Sequence, residues 1–179
     1  RAELDWWTEA LAGVPALLDL PTDRPRPPQQ RFEGAVLPLA IDEALADALR
    51  ALAQRAGTTL FTVLMAGWAV VLQRLSRQDD VVIGIPAAGR PRAELAPLVG
   101  FFVNTLPIRV RLSRQDSFAA VVAQVRDSLI GAQAHAAVPF EQIVDAVKPE
   151  RSLAHTPLFQ AMFSWQDEDW RRLDLGALE

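Results

Sequence analysis

The sequence predicts an α/β (α+β) two-layer sandwich, because helical and extended patterns alternate along the chain. Two extended patterns support this. Residues 81–85 form an apolar run rich in β-branched side chains, and residues 107–112 alternate apolar side chains with arginine. Half of the 179 residues are hydrophobic and 22% are charged, which is typical of a chain that buries a core.

The first thirty residues predict a helix and then a linker. A short helix is predicted within residues 4–18, with Trp6, Trp7 and Leu11 on one face, and Gly13 and Pro15 interrupt it. Four prolines between positions 21 and 28 each fix φ and lack an N–H, so this stretch is expected to be extended and to cross the surface.

Residues 32–40 predict a strand with Leu37 and Leu39 on its core side. Pro38 lies between them and cannot donate a hydrogen bond to a neighbouring strand. The strand is therefore expected at the edge of a sheet.

Two helices are predicted next. Asp42 is a candidate N-cap for the first, which ends near Gly57. The second runs from Thr59 to about Leu75 and is apolar around most of its circumference, so it is expected to be buried on several sides.

The two central strands follow. The apolar run at 81–85 predicts a strand buried on both faces that stops at Pro86. The alternation in 107–112 predicts a half-buried strand, with Arg109 and Arg111 on its polar side.

Two helices and a strand are predicted in the last third of the chain. Asp116 is the candidate cap of the first helix, and Pro139 fits the first turn of a short second helix that Pro149 stops. Residues 158–166 alternate and predict the last strand, whereas the polar residues 167–172 predict a loop or tail.

Asn104 is unusual because its carboxamide lies in a run of phenylalanine, valine and leucine. A buried amide without hydrogen-bond partners costs about 1–3 kcal/mol. Two interpretations remain open: the side chain ties down a strand end or turn, or it lines a cavity where a polar ligand shares its hydrogen bonds.

Two segments carry a family resemblance. Residues 84–90 read Gly-Ile-Pro-Ala-Ala-Gly-Arg and residues 99–105 read Val-Gly-Phe-Phe-Val-Asn-Thr. In this order and spacing they closely resemble two core motifs of the condensation domain of nonribosomal peptide synthetases. Residues 20–27, Leu-Pro-Thr-Asp-Arg-Pro-Arg-Pro, are similar to the segment that joins the two lobes in that family.

The resemblance implies a fold and a domain organisation. Family members have two lobes of the chloramphenicol acetyltransferase fold that face each other across a tunnel. Residues 1–30 would be the interlobe helix and Pro-rich linker, and 31–179 would be an incomplete carboxy-terminal lobe. The chain lacks an initiating Met, which fits part of a longer polypeptide.

The resemblance also implies amide formation between a carrier-bound donor thioester and an acceptor amine. The family's catalytic His-His-x-x-x-Asp-Gly motif is not in these residues, so no catalytic residue is assigned and the chain alone is expected to be inactive. By analogy, Asn104 and Arg90 are expected to lie beside the substrate tunnel, with Gly100 and Phe101 in its wall.

The two histidines do not suggest a catalytic site. His135 lies in a segment, Ala134-His-Ala-Ala-Val-Pro-Phe-Glu141, that resembles a family motif usually written H-Q-D-x-P-F-E, and it is expected to end a helix. His155 is expected in a loop before a strand. Two isolated histidines without cysteine predict no metal site.

The expected partners follow from the resemblance. They are the amino-terminal lobe, the donor and acceptor carrier domains with their phosphopantetheine arms, and an adjoining adenylation domain; no cofactor is expected to bind the chain directly.

A net charge of −4 gives no electrostatic reason for nucleic-acid or membrane binding, and the apolar stretch 60–72 is shorter than the ~20 residues that span a bilayer. The absence of cysteine fits a reducing cytoplasm.

Two alternatives stay open. The chain could be a non-catalytic lobe that docks a neighbouring domain, or it could belong to an epimerization or cyclization relative. Epimerization members usually carry a G-W-F-T-like sequence where this chain has Gly-Phe-Phe-Val-Asn-Thr at 100–105, which favours condensation.

Overall fold

The computed structural model describes residues 2–90, 93–95 and 97–166. Within those ranges, five α-helices pack around a small sheet, which confirms the mixed α/β class predicted from the sequence. In chain order the elements are α1 (Ala2–Ala10), α2 (Glu43–Arg55), α3 (Leu60–Ser76), β1 (Asp80–Ala87), a 3₁₀ turn (Ala93–Leu95), β2 (Asn104–Arg111), α4 (Phe118–Ala134), α5 (Phe140–Val147) and β3 (Ala161–Met162).

The sheet has the order β2-β1-β3, with β1 in the centre. β1 and β2 are antiparallel, so that Asp80 lies opposite Arg111 at one end and Ala87 opposite Asn104 at the other. β3 runs parallel to β1 and pairs at two positions. All residues from 81 to 85 are buried, which confirms the prediction of a strand covered on both faces.

β1 does not stop at Pro86, as predicted, but continues to Ala87. Pro86 pairs with Thr105 of β2. Antiparallel pairs alternate between positions that exchange hydrogen bonds and positions that do not, so proline is tolerated at a position that donates none.

The core lies between the sheet and the helices. It includes Trp7 and Leu11, so the amino-terminal segment packs into the same core as the strands. The largest fully buried side chains are Trp7, Leu11, Met65, Leu72, Ile83, Leu106, Ile108 and Ile143. Burial of apolar surface contributes about 25 cal/mol per Å² removed from water, so these side chains stabilise the fold.

Arg109 connects α1 to the sheet. Its guanidinium makes a two-pronged ion pair with Asp80, with a shortest N–O distance of 2.6 Å. Its Nη1 also donates to the carbonyl oxygens of Ala10 (3.0 Å) and Ala12 (2.8 Å), just where α1 ends. Helices end with unpaired carbonyls that carry partial negative charge, so Arg109 stabilises the end of α1 from the neighbouring strand.

α1 is shorter than the predicted span of 4–18 because the chain turns at Gly13, where φ is +68°. Glycine reaches this left-handed conformation at little cost, and the helix cannot continue through it.

The caps of the other helices partly match the predictions. The Asp42 carboxylate accepts a hydrogen bond from the Leu45 N–H at 2.8 Å, which confirms it as the N-cap of α2. The prediction for α4 was wrong by one residue: Ser117 is the cap, because the Asp116 carboxylate instead accepts from the Ser113 N–H and closes the preceding turn. α5 likewise begins one residue later than predicted, with Pro139 as its N-cap.

α3 is only partly buried. Met65 is fully buried, but Trp68, Val71 and Leu75 share a side that is 38–51% exposed, so burial on several sides was overestimated.

No single helix in the described ranges is long and apolar enough to span a membrane. α2 and α3 together have that length and composition, but the chain bends by 106° between them.

The strand predicted for 32–40 does not form. Phe32, Leu37 and Leu39 are 91%, 92% and 89% exposed, and no strand of the described chain pairs with this segment. The alternating pattern was correct for an extended chain, but a strand also needs a partner, and local sequence does not supply one.

The last strand is also shorter than predicted. Only Ala161–Met162 pairs with β1, although Phe159 and Ala161 are buried as the alternation requires. Leu158 has a φ of +66°, and this left-handed residue breaks the extended chain before β3. The predicted loop at 167–172 lies outside the described residues.

Candidate functional site

A groove of about 1040 Å³ lies at the end of the sheet where β1 finishes and β2 begins. We call it the motif groove. Three segments that are distant in sequence line it: the turn after β1, the segment leading into β2, and the connection from α4 to α5. Its lining consists of Ala88, Gly89, Arg90, Phe101, Phe102, Val103, Asn104, Thr105, Gln133, Ala134, Ala136, Ala137, Pro139, Phe140 and Glu141.

Asn104 is the first residue of β2, and its carboxamide makes four hydrogen bonds to the backbone. Nδ2 donates to the carbonyl oxygens of Ala136 (3.0 Å) and Val138 (2.8 Å). Oδ1 accepts from the N–H groups of Thr105 (2.9 Å) and Phe140 (3.1 Å). An amide has two donors and an oxygen with two lone pairs, so its hydrogen-bonding capacity is fully used.

These contacts explain why an amide lies in an apolar run. The N-cap of α5 is Pro139, which has no polar side chain, and the carboxamide oxygen of Asn104 satisfies the first free N–H of that helix from another element. These contacts support the first interpretation of Asn104, because its polar atoms fix the start of β2 to the α4–α5 connection and leave no hydrogen-bonding capacity for a ligand to share. The residue still lines the motif groove.

Arg90 shapes the segment that leads into the groove. Its Nη1 donates to the carbonyl oxygen of Leu98 at 2.8 Å and to that of Leu95. The guanidinium carbon also lies 4.2 Å from the centroid of the Phe102 ring, within cation–π range. Arg90 therefore lies in the groove lining and at the same time contacts Leu95, Leu98 and Phe102 in the segment before β2.

Gly89 is required by a close approach of the backbone. Its φ is +61°, and a Cβ at this position would lie 1.8 Å from the carbonyl oxygen of Phe102. Only glycine fits both the left-handed conformation and the contact. Sequence patterns did not identify Gly89 as a site residue, because the residue that crosses it is thirteen positions further along the chain.

Phe101 and Phe102 face opposite ways. Phe101 is 93% exposed, and Val99, two residues earlier, is also fully exposed. Phe102 instead packs on Arg90 and lies against Gly100, where a Cβ would meet its ring at 3.1 Å. Phe102 is therefore held by packing, whereas the Phe101 ring is almost fully accessible at the groove.

Glu141 is a lining residue that was not predicted from the sequence as part of a site. It lies in the first turn of α5, and it is the acidic residue among those that line the motif groove. The available signal was its place in the Pro-Phe-Glu segment that resembles a family motif.

His135 lies just outside the groove, at the end of α4, as the sequence predicted. Its ring stacks on Trp6 with centroids 4.4 Å apart, its Nδ1 contacts the Glu3 carboxylate, and its carbonyl accepts from the Trp7 indole at 3.0 Å. It anchors α1 and has no contact that suggests catalysis. His155 makes a local contact with the Thr156 carbonyl in a loop. The described residues contain no cluster of three or more metal-ligating side chains.

Comparisons with known proteins agree with this arrangement. The family model for the condensation domain matches residues 1–176. The chain is 47% identical over its whole length to malpibaldin synthetase of Mortierella alpina, and 45% identical over 99% of its length to the isonitrile lipopeptide synthase of Mycobacterium tuberculosis. It spans only 3% of the first of these relatives and 7% of the second.

Solved structures show the same fold. A holo four-domain nonribosomal peptide synthetase bound to AMP and glycine superposes with a TM-score of 0.90 at 31% identity, over 94% of this chain and 13% of that one. The X-domain from teicoplanin biosynthesis gives a TM-score of 0.85 at 29% identity, over 90% of this chain and 36% of that one. These matches confirm the predicted condensation-type lobe. The chain belongs to the condensation domain family of nonribosomal peptide synthetases.

Proposed function

We propose that this chain forms one wall of the substrate passage in a domain that makes amide bonds between carrier-bound substrates. In that reaction the amine nitrogen of the acceptor attacks the carbonyl carbon of the donor thioester. The carbon–nitrogen bond forms, the carbon–sulfur bond breaks, and the thiol of the donor carrier leaves with a proton. Membership of the condensation family supports this activity.

The role of this chain would be to position and enclose, not to move protons. The His-His-x-x-x-Asp-Gly motif is not among its 179 residues, and both of its histidines have structural surroundings. We therefore assign the general base to the amino-terminal lobe and expect the isolated chain to be inactive. In this assignment residues 1–30 are the interlobe helix and linker, and 31–179 belong to the carboxy-terminal lobe.

The motif groove is the observation that carries the proposal. Residues 84–90 and 99–105 carry the family resemblance, and the Pro-Phe-Glu segment comes from a third position in the chain. These three segments converge on one groove of about 1040 Å³. A pocket of this size with mainly apolar walls and a few fixed polar groups is typical of a site for an organic substrate.

The substrates would arrive on phosphopantetheine arms carried by donor and acceptor domains, with an adenylation domain nearby. A long flexible arm needs a passage and a few fixed contacts, and exclusion of water around the thioester protects it from hydrolysis. The exposed Phe101 ring in the groove lining is suited to such contacts, whereas the Asn104 carboxamide, whose hydrogen bonds are all made to the backbone, shapes the wall. The absence of cysteine continues to favour a reducing cytoplasm.

The proposal is tested by Phe101→Ala in the complete protein, with both carrier domains already loaded. Because the ring is 93% exposed, its removal leaves the core intact, and we expect condensation to slow by about tenfold through poorer substrate positioning. Phe32→Ala is the matched control, because it removes a ring that is 91% exposed and lies outside the motif groove. Equal rates for the wild type and Phe101→Ala would contradict the proposal.

A second candidate function is a non-catalytic docking lobe. One solved structure with 29% identity and a TM-score of 0.85 is a complex of the teicoplanin X-domain with OxyB, in which a domain of this fold binds another protein. The sequence upstream of this chain distinguishes the two functions. An intact His-His-x-x-x-Asp-Gly motif supports condensation, whereas its loss supports docking. An epimerization or cyclization relative remains the third interpretation, and the Phe-Val-Asn-Thr sequence disfavours the epimerization relative.

A further inference from the structure

A second groove lies at the opposite end of the sheet from the motif groove. It has a volume of about 580 Å³ and is formed by the end of α3, the turn after β2 and the start of α4. Arg74, Arg77 and Arg114 line it, and we call it the basic groove. β2 starts at one groove and ends at the other, so about 25 Å of strand separates them.

The three arginines of the basic groove have no partner in the described part of the chain. All three are exposed, and none of their guanidinium groups makes an ion pair or a hydrogen bond there. They therefore remain available to an anionic ligand. By contrast, Arg109 and Arg126 on the adjoining elements are paired with aspartates.

Arg77 also has an unusual backbone. It follows α3 in the left-handed conformation, with φ +59° and ψ +23°, and its N–H donates to the Gln73 carbonyl at 2.8 Å. Glycine is the usual residue at this position of a helix end, because side chains strain the left-handed conformation. The fold thus keeps an arginine where glycine would be more stable, with no side-chain contact in the described residues to offset the strain.

We propose that the basic groove binds an acidic, amphipathic peptide segment of a partner polypeptide. Guanidinium groups bind carboxylates through two parallel hydrogen bonds, so three of them favour a peptide with several acidic side chains. Phe118, which is 40% exposed, and Val70 add apolar surface within the same groove. A peptide that carries acidic and apolar side chains complements both features.

The carboxylates in the basic groove argue against a nucleic acid as the ligand. Asp79, held by the Gln73 amide at 3.0 Å, and Asp116 lie among the arginines. A continuous phosphate backbone would approach these like charges, whereas a peptide can place its carboxylates between them.

The test measures fluorescence anisotropy of a labelled synthetic peptide that alternates glutamate with leucine, added to the complete protein that contains this chain. A glutamine-for-glutamate peptide tests the role of charge. The groove variant combines Arg74→Gln, Arg77→Gln and Arg114→Gln. The control variant combines Arg24→Gln, Arg26→Gln and Arg31→Gln, at three exposed arginines outside the basic groove. Both variants therefore change the net charge by the same amount.

We expect the acidic peptide to bind the wild type and the control equally, and the groove variant about tenfold more weakly, with affinity falling as salt rises. Equal loss in both triple variants, or equal binding of the neutral peptide, would overturn the proposal. So would full competition by inorganic phosphate at a concentration similar to that of the peptide, or tighter binding of an oligonucleotide. Arg77→Gly should weaken binding without lowering the unfolding temperature; a lowered temperature would show a structural role instead.

Discussion

Replacement of Asn104 by alanine should destabilise the domain, because it removes four hydrogen bonds, three of which join β2 to the α4–α5 connection and the start of α5. The side chain joins the start of β2 to the carbonyls of Ala136 and Val138 and to the N–H of Phe140, and it also accepts from the Thr105 N–H. All four partners are backbone groups. After the substitution they must find water or remain unpaired.

The size of the effect follows from the number of bonds. A hydrogen bond within a protein contributes about 1 kcal/mol net, so four give an upper value of about 4 kcal/mol. Water that enters the groove can satisfy some of the groups, so we expect a loss of about 2–4 kcal/mol in the free energy of unfolding.

Gln160 supplies a matched control. Its amide makes two bonds to the backbone, accepting from the Leu18 N–H at 2.6 Å and donating to the Thr156 carbonyl at 2.8 Å. Gln160→Ala should therefore cost about half as much, ~1–2 kcal/mol. Urea denaturation of the complete domain measures both variants, and hydrogen exchange should show faster exchange at the Phe140 amide in Asn104→Ala.

The reasoning would be refuted if Asn104→Ala cost less than about 0.5 kcal/mol, or no more than Gln160→Ala. It would also be refuted if exchange at the Phe140 amide stayed as slow as in the wild type. The expected loss of stability means that lower activity of Asn104→Ala does not by itself show contact with substrate, and activity must be compared at equal folded fraction.

Three further substitutions test the packing around the grooves and the core. Gly89→Ala should lower the free energy of unfolding by at least about 2 kcal/mol, because the new Cβ overlaps the Phe102 carbonyl oxygen and the residue is left-handed. Gly57 is also left-handed, with a φ of +60°, but has open space around it, so Gly57→Ala should cost only about 1 kcal/mol. Equal costs for the two variants would contradict the close approach at Gly89. Gly84→Ala should destabilise the fold, because its Cβ would lie 2.5 Å from the Phe159 ring. In a double-mutant cycle Phe159→Leu should recover part of that loss, and strictly additive effects on the free energy of unfolding would contradict the contact. Arg109→Lys should lower the free energy of unfolding by about 1–2 kcal/mol although the charge is kept, because lysine cannot bind the Asp80 carboxylate and the carbonyls at the end of α1 at the same time. A change below about 0.3 kcal/mol would contradict the bridging role of Arg109.

Local signals predicted the helices well. Asp42 accepts a backbone hydrogen bond at the start of α2, as the sequence predicted, because a cap acts within three residues. Thr59 was predicted as the first residue of the next helix and is instead its N-cap, a difference of one position. The error at α4 has the same origin. Asp116 and Ser117 are both good caps, and only the turn that Asp116 closes decides between them.

Contacts between distant residues could not be predicted in the same way. The apolar run identified Asn104 as special, but three of its partners lie 32 to 36 residues further along the chain. Arg109 has the alternation of a half-buried strand, yet its side chain turns to the end of α1, almost a hundred residues earlier. The residues at 32–40 show the opposite case, since an extended pattern without a partner strand does not form a sheet.

The family resemblance added what periodicity could not. It selected Arg90, Gly100, Phe101 and Asn104 as neighbours of one passage, and the structure places Arg90, Phe101 and Asn104 in the lining of the motif groove. Gly100 lies beside it, against the Phe102 ring. The passage of substrate through this groove is the central claim that experiment must test.

The most direct measurement is a disulfide capture of the phosphopantetheine thiol. The chain contains no cysteine, so Phe101→Cys places a single thiol of this chain at the motif groove. With holo-carrier under mild oxidation, mass spectrometry should detect a disulfide between residue 101 and the arm, and Phe118→Cys at the basic groove should give none. Capture at both positions alike, or at position 118 alone, would contradict the claim that the motif groove is the substrate passage.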